Sequence, residues 1–341
     1  MSSSSAENNW TYEPVPTASV NLFRMCWQLE TWFRTMVYVE LRAARLDWEE
    51  PIKQHVHGWP PSSLANDKRL HHMATPHQAA LSYLTFGELW SVISANDNWN
   101  TFSPYFPPKD NAWERIKEVK GIRNRVAHFR ESHPLDTARL KLFLQDMEPG
   151  IRRFCSRYTT GKIPRNSADD PVSEYIATVW EQEGYGIELL QPSGWLYAPE
   201  PNRMAPQLHA RLEFLPHSQY SPGSQDGVIY RVVISPSIRK NREINIVDLF
   251  QSTKRLHHDI IHFTIFSSGD EVSVTIPAIH GTEKTAKLVL AFLSAGVNAA
   301  HGGFRQRLDK ADLEWPEYVV WPDHLLALYD DDIRCPILEL D

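Results

Sequence analysis

Between residues 18 and 48, apolar side chains recur every three to four positions: Leu22, Met25 and Cys26, Leu29, Trp32 and Phe33, Met36, Val39. A stripe this regular is buried as one wide face of a long α-helix, and such a face needs other helices to cover it. The opposite face carries Arg34, Arg42 and Arg45, and Pro51 with the WPPSS segment at 59–63 is expected to end the helix. Residues 50–75 read as a loop rich in histidine. A second helix is expected over 76–95, with Pro76 in its first turn and Leu81, Leu84, Phe86, Leu89, Trp90 and Ile93 as its apolar side. SPYFPPKDN breaks it. Asp110 can then cap a third helix striped by Trp113, Ile116, Val119 and Val126 and ended by Pro134. A fourth spans 135–159, with Leu140, Phe143, Leu144, Met147, Ile151 and Phe154 on one side, and Pro149–Gly150 is expected to kink or split it. Four helices striped in this way predict an antiparallel bundle.

The pattern changes after TTGKIPRNSADDP. Residues 172–183 look helical, RLEFLP at 211 and GVIYRVVIS at 227 look like strands, and a helix near 246–257 leads into IHFTIFSSGDEVSVTIPAI, which reads as a hairpin. An amphipathic helix starts at Thr282. The expected organisation is therefore a polar tail over 1–17, an all-α four-helix bundle over 18–160, a linker over 161–171, and an α+β domain over 172–341.

Charge is uneven. The formal net charge is −7, yet Lys109 to Arg165 holds fourteen Lys or Arg against seven Asp or Glu, while Asp309 to Asp341 holds ten acidic residues against two basic ones. A basic segment within an acidic chain points to a local anionic partner. Cys26, Cys155 and Cys335 are far apart and lack CxxC spacing, which argues against a disulfide framework or a cysteine zinc site. The start MSSSSAENNW does not read as a secretory signal, and no apolar run reaches membrane-spanning length. These features read as a cytoplasmic chain with no membrane partner.

GIRNRVAHFR, residues 121–130, departs from its surroundings. The third helix steps through 112/113, 116, 119, 123 and 126, so Arg123 occupies a slot in the apolar stripe. A guanidinium there must meet an anion or water, because burying it unpaired is costly. Asn124 and His128 are four apart and share a face. Arg123 and His128 are separated by about 140° and roughly 7.5 Å of rise, close enough to serve one groove. The chemistry suits RNA, which supplies its own 2′-hydroxyl nucleophile. A histidine exchanges protons near neutrality, and a guanidinium fork stabilises the charged phosphorane without a metal. Arg125, Arg130 and Arg139 are candidates to hold flanking phosphates.

A helical bundle with R-N-x-x-x-H near the end of its third helix resembles the HEPN superfamily, and IRNRVAH is similar to the Abi-like and Swt1-type HEPN domains of prokaryotic conflict systems. The resemblance covers residues 18–160. It implies a metal-independent endoribonuclease with no cofactor, a toxin or phage-defence effector, working as a homodimer in which two motifs meet. It implies Arg123 and His128 as catalytic residues, with Asn124 as the polar residue after the arginine. It also implies a further acidic or polar residue elsewhere in the bundle, for which Glu30 is a candidate, and an antitoxin or regulatory partner. The alternatives are an inactive HEPN-like module that binds RNA, nucleotide or protein, and an unrelated helical bundle in which His128 merely caps the helix end and Arg123 pairs with a glutamate of the first helix. Two other features compete for attention. His258-Asp259-x-x-His262 imitates the HExxH zinc spacing, but a helix-to-strand junction is the better account of it. His55, His57, His71, His72 and His77 crowd one segment and read as surface histidines. A GxxxxGK[ST] phosphate loop and a GxSxG elbow are both absent from the sequence.

Overall fold

The computed structural model describes residues 15–70, 72, 79–159, 170–183, 188–190, 195–200, 203–216, 227–236, 242–266, 271–302 and 315–321. The expected tail and most of the expected linker lie outside these residues, as do His71, His77 and Cys335. The first half is helical and the second is a mixed sheet with helices.

Helix α1, Thr17–Ala44, buries the stripe read from the sequence, from Leu22 to Val39, and continues it through Leu41 and Ala43. Residues 50–70 hold more order than expected. Pro51 stands in the first turn of α2, Glu50–His55, and Pro61 immediately precedes α3, Ser62–Arg69. Both prolines open helices, where a missing N–H is no loss. The second expected helix starts later than Pro76, which is outside the described residues. Ala80–Tyr83 is a 3₁₀ turn, and α4 runs Phe86–Ser94. A capping box fixes that start: Thr85 Oγ1 accepts from the Glu88 amide, and the Glu88 carboxylate accepts from the Thr85 amide. Helix α5, Asn96–Phe102, follows. Helix α6 spans Lys109–Ala127 and starts after Pro108, so Asp110 lies in its first turn and is not its cap.

Helix α7, Asp136–Thr159, is not split at Pro149–Gly150. Gly150 serves a close approach: a Cβ there would lie 1.8 Å from the Tyr105 carbonyl oxygen. Backbone cannot yield as a flexible side chain does. Gly150→Ala is therefore expected to lower unfolding stability by about 1–3 kcal/mol or more, read as a shift of the urea midpoint.

After α8, Pro171–Glu183, come β1, Glu188–Leu190; β2, Trp195–Glu200; β3, Arg203–Pro216; β4, Val228–Pro236; and β5, Arg242–Ile244. Helix α9, Ile246–Thr253, runs into a 3₁₀ turn over Lys254–Asp259, so the single helix expected over 246–257 changes its winding. The expected hairpin is present as β6, His262–Ile265, and β7, Val272–Pro277, paired antiparallel. Helix α10, Thr282–Ala299, starts where the sequence placed it. Strands β8, Ala300–Gly302, and β9, Val319–Val320, complete the described elements.

The main sheet has the order β1-β2-β3-β4-β7-β6-β9, antiparallel throughout except for the β6–β9 pair. Helices cover both of its faces. Along β3 and β4, Phe214, Val228, Tyr230, Val232 and Ile234 pack with α8, α9 and α10. Leu215 and Ile229 point the other way and join the core of the helical half with Ile261 and Val320. This is the two-residue alternation of a strand, and burial on both faces explains why β4 reads as a nearly continuous apolar run. Polar contacts tie the halves as well. Tyr38 Oη donates to the Ile261 carbonyl at 2.8 Å, and the Gly227 amide donates to the Ala43 carbonyl at 3.1 Å. Tyr158, at the end of α7, bonds His262 Nδ1 and lies 3.0 Å from Thr275 Oγ1.

His257 sits in the second half's core beside Phe250 and Phe292, within hydrogen-bond reach of Thr253 and Tyr318. Burial, with Lys254 nearby, pushes its pKa from 6.5 down to about 4. The folded state disfavours the charged imidazole, so this contribution to stability is complete above pH 6.5 and is lost as pH falls from 6.5 to 4. The expected loss is about 3 kcal/mol at most. A urea series over that pH range checks it, with His257→Phe expected to remove the slope.

Candidate functional site

The sequence motif lies at the end of α6, where that helix packs on α1 and α7. Ala112, Ile116, Val119 and Ile122 form the buried stripe, while Trp113 is exposed. Arg123 sits at the stripe's margin, 24% exposed, and its Nε donates to Glu30 Oε2 at 3.1 Å. Arg34 donates to the other oxygen of the same carboxylate. Glu30 thus stands between two guanidiniums in a nearly buried position, and the cluster keeps one net positive charge. Burial lowers the Arg34 pKa, the Glu30 carboxylate raises it, and repulsion from Arg123 lowers it again. Glu30 engages Arg123 through Nε, which leaves the terminal amino groups of the fork without a protein partner among the described residues.

His128 is the C-cap of α6, and its side chain is exposed. The helix closes there in a Schellman motif. The Arg130 amide bonds the Arg125 carbonyl at 2.9 Å, and the Phe129 amide bonds the Val126 carbonyl at 3.1 Å. Glycine is the usual residue at the left-handed position of this motif. Here Phe129 occupies it, with φ 52° and a side chain 97% exposed. A bulky residue in that conformation is strained, and strain of this kind concentrates at functional sites. Phe129→Gly is expected to raise stability by about 0.5–1 kcal/mol in urea denaturation.

The loop carrying His128 is fastened from the other side. Arg125 donates from Nε and Nη2 to Asp136 at 3.0 and 2.6 Å, and the His133 amide donates to the same carboxylate at 2.9 Å. Burial alone would raise the Asp136 pKa, but the Arg125 and His133 hydrogen bonds outweigh it and hold the carboxyl below the usual range. The three arginines read as phosphate-holding candidates are thus placed differently. Arg125 spends its fork on Asp136, Arg139 pairs with Glu118 at 3.2 Å, and Arg130 is exposed without a partner among the described residues. Asn124 is exposed on the same helix.

Two groups near this site carry no signal in the RNxxxH spacing. On α1, Phe23 and Trp27 are 51% and 60% exposed, with ring centroids 6.1 Å apart. Between them Cys26 is buried near Arg123, Glu30 and Asp136. Burial pushes its thiol up to about 12, so it stays protonated. The legible clue was that Phe23 and Trp27 are large apolar residues beside the stripe on the helix that faces the motif.

His262 lies in buried strand β6 against Tyr158, whereas His258 is exposed and contacts Asp259, so the HDIIH pair diverges. His55 contacts Asp97 at 3.1 Å. Among the described residues, no group of three or more His, Cys, Asp or Glu is arranged to hold a metal ion, and no helix is long and apolar enough to cross a membrane. Comparison with known protein families, curated proteins and solved structures finds no match to this chain.

Proposed function

We propose that the helical half is a HEPN-type endoribonuclease that cleaves RNA without a metal ion, as a homodimer with one composite site formed from two copies of Arg123, Asn124 and His128. The observation that carries this reading is the state of Arg123. Its Nε is anchored by Glu30 while its terminal amino groups have no partner among the described residues, and an exposed histidine follows five residues later. An anchored guanidinium with a free fork is preorganised for a phosphate and loses little entropy on binding it.

In the proposed reaction one His128 removes the proton of the 2′-hydroxyl. The oxygen attacks phosphorus, the bond to the 5′-oxygen breaks, and the second copy's His128 protonates that leaving oxygen. Arg123 stabilises the phosphorane, and the products are a 2′,3′-cyclic phosphate and a 5′-hydroxyl. Phe23 and Trp27 on α1, and Phe129 at the end of α6, are exposed apolar side chains of the kind a second copy would cover. The resemblance of IRNRVAH to HEPN domains of conflict systems sets the activity in that context, as a toxin or phage-defence effector.

One observation favours a binding module instead: Glu30 already neutralises part of the charge of Arg123. Purified chain, RNA and EDTA separate the two. Cleavage that survives chelation, by a protein that light scattering shows to be dimeric, supports the nuclease. RNA retention without cleavage supports the module, and full activity from a strict monomer overturns the composite site.

A further inference from the structure

A cavity of about 280 Å³ opens where the two halves meet, far along α1 from the Glu30–Arg123 cluster. Its walls come from the end of α1, the 3₁₀ turn before β6, the end of β7 and the start of α10. Arg42, Arg45 and Lys284 bring three cationic side chains, while Asp259 is the one carboxylate among the described lining residues.

That carboxylate is already engaged. Lys284 Nζ donates to it at 2.6 Å, and His258 contacts it at 3.0 Å. Among the described residues the two arginines have no carboxylate of their own. Arg42 donates to the His258 carbonyl and lies over the rings of Tyr38 and Trp48, at 5.3 and 5.5 Å from their centroids. Arg45 makes one 3.3 Å contact with the Asp97 carbonyl. Carbonyls and rings orient a guanidinium but leave its charge uncompensated. His280 adds an independent sign. Its side chain is 9% exposed, and its Nδ1 is buried without a hydrogen-bond partner, a costly state in a folded protein. Trp48, Leu46 and Ile279 give the cavity an apolar wall suited to a ring.

We propose that this junction cavity binds a phosphorylated small molecule of mononucleotide size, its phosphate on Arg42, Arg45 and Lys284 and its ring against the apolar wall. A cavity of this volume exceeds the needs of a bare phosphate and lies near the lower bound of small-molecule sites. Both halves of the chain contribute side chains, so the ligand would stiffen the junction between the bundle and the sheet. The site is separate from the proposed nuclease groups and does not depend on them.

The test is calorimetry and thermal unfolding of the full chain with AMP, adenosine and inorganic phosphate, at low and high salt. AMP is expected to bind saturably and raise the unfolding temperature, at least about tenfold more tightly than phosphate or adenosine, and to weaken as salt rises. Arg45→Ala is expected to weaken AMP at least about tenfold while leaving the ligand-free unfolding temperature close to that of the parent, because Arg45 makes one weak bond. Arg45→Lys should recover part of the loss. His128→Ala must bind AMP like the parent, which separates this cavity from the nuclease site. No saturable AMP binding at millimolar concentration, phosphate binding as tight as AMP, unchanged affinity in Arg45→Ala, or loss of binding in His128→Ala each overturns the proposal.

Discussion

Replacing His128 with alanine is expected to slow RNA cleavage by about 10²–10⁴-fold with little effect on stability. The stability expectation follows from its position: the imidazole is exposed, and the helix end is closed by backbone bonds that alanine also makes. The activity expectation follows from the proposed chemistry, in which each proton transfer falls to one imidazole. Arg123→Ala should reduce cleavage comparably, since a charged donor to the developing phosphorane is worth about 10²–10³-fold. It should also cost some stability, because Glu30 and Arg34 lose a neighbour. Comparing the two variants distinguishes their roles. Added imidazole should restore part of the rate of His128→Ala, whereas Arg123→Lys should stay slow, since a lysine keeps the charge but not the fork.

The second large effect concerns the junction. Arg231 and Glu213 face each other across β4 and β3, both nearly buried, with Arg231 Nε donating to Glu213 at 2.6 Å and Nη1 reaching the Tyr158 carbonyl at 3.4 Å. Replacing Arg231 with methionine keeps much of the volume but removes the cation that donates to a nearly buried carboxylate. The expected loss is about 3–5 kcal/mol, measured by urea unfolding, a large share of the stability of an ordinary domain. Arg231→Met combined with Glu213→Gln should recover much of it, because a neutral amide does not need the lost cation. Because Arg231 also touches the last turn of α7, the single variant should loosen the packing of helices on sheet, seen as faster amide exchange around Tyr158 and His262.

These two sites also show what a sequence can and cannot disclose. The α1 stripe was legible because every member from Leu22 to Val39 repeats the helical period and is buried as that period requires. Arg123 stood out as a cation where the period predicted an apolar slot; the buried member there is Ile122, and Arg123 lies at the stripe's margin. Pairing of Arg123 with some glutamate of the first helix was an open reading, but that it is Glu30, 93 residues away, is set by packing and leaves no local trace. Arg125 read as a phosphate contact because nothing near it marked Asp136 as its partner, and only the turn from α6 to α7 brings them together. Arg231 sits in a run otherwise typical of a strand buried on both faces, so the buried pair with Glu213 was hidden by a correct strand assignment. The late start of α4 is a different kind of miss, since Thr85-x-x-Glu88 was present in the sequence as a capping box. Prolines misled where position within the helix decides their effect: Pro51 and Pro61 open helices, and Pro149 sits inside α7 without ending it.

The central claim is that Arg123 and His128 act on one phosphodiester without a metal ion. End-group analysis of RNA incubated with the purified chain in excess EDTA tests it most directly. The account predicts 2′,3′-cyclic phosphate and 5′-hydroxyl termini, formed by the parent and lost in both Arg123→Ala and His128→Ala. Products ending in a 3′-hydroxyl and a 5′-phosphate, or cleavage that stops with chelator and returns with added divalent cation, would contradict it.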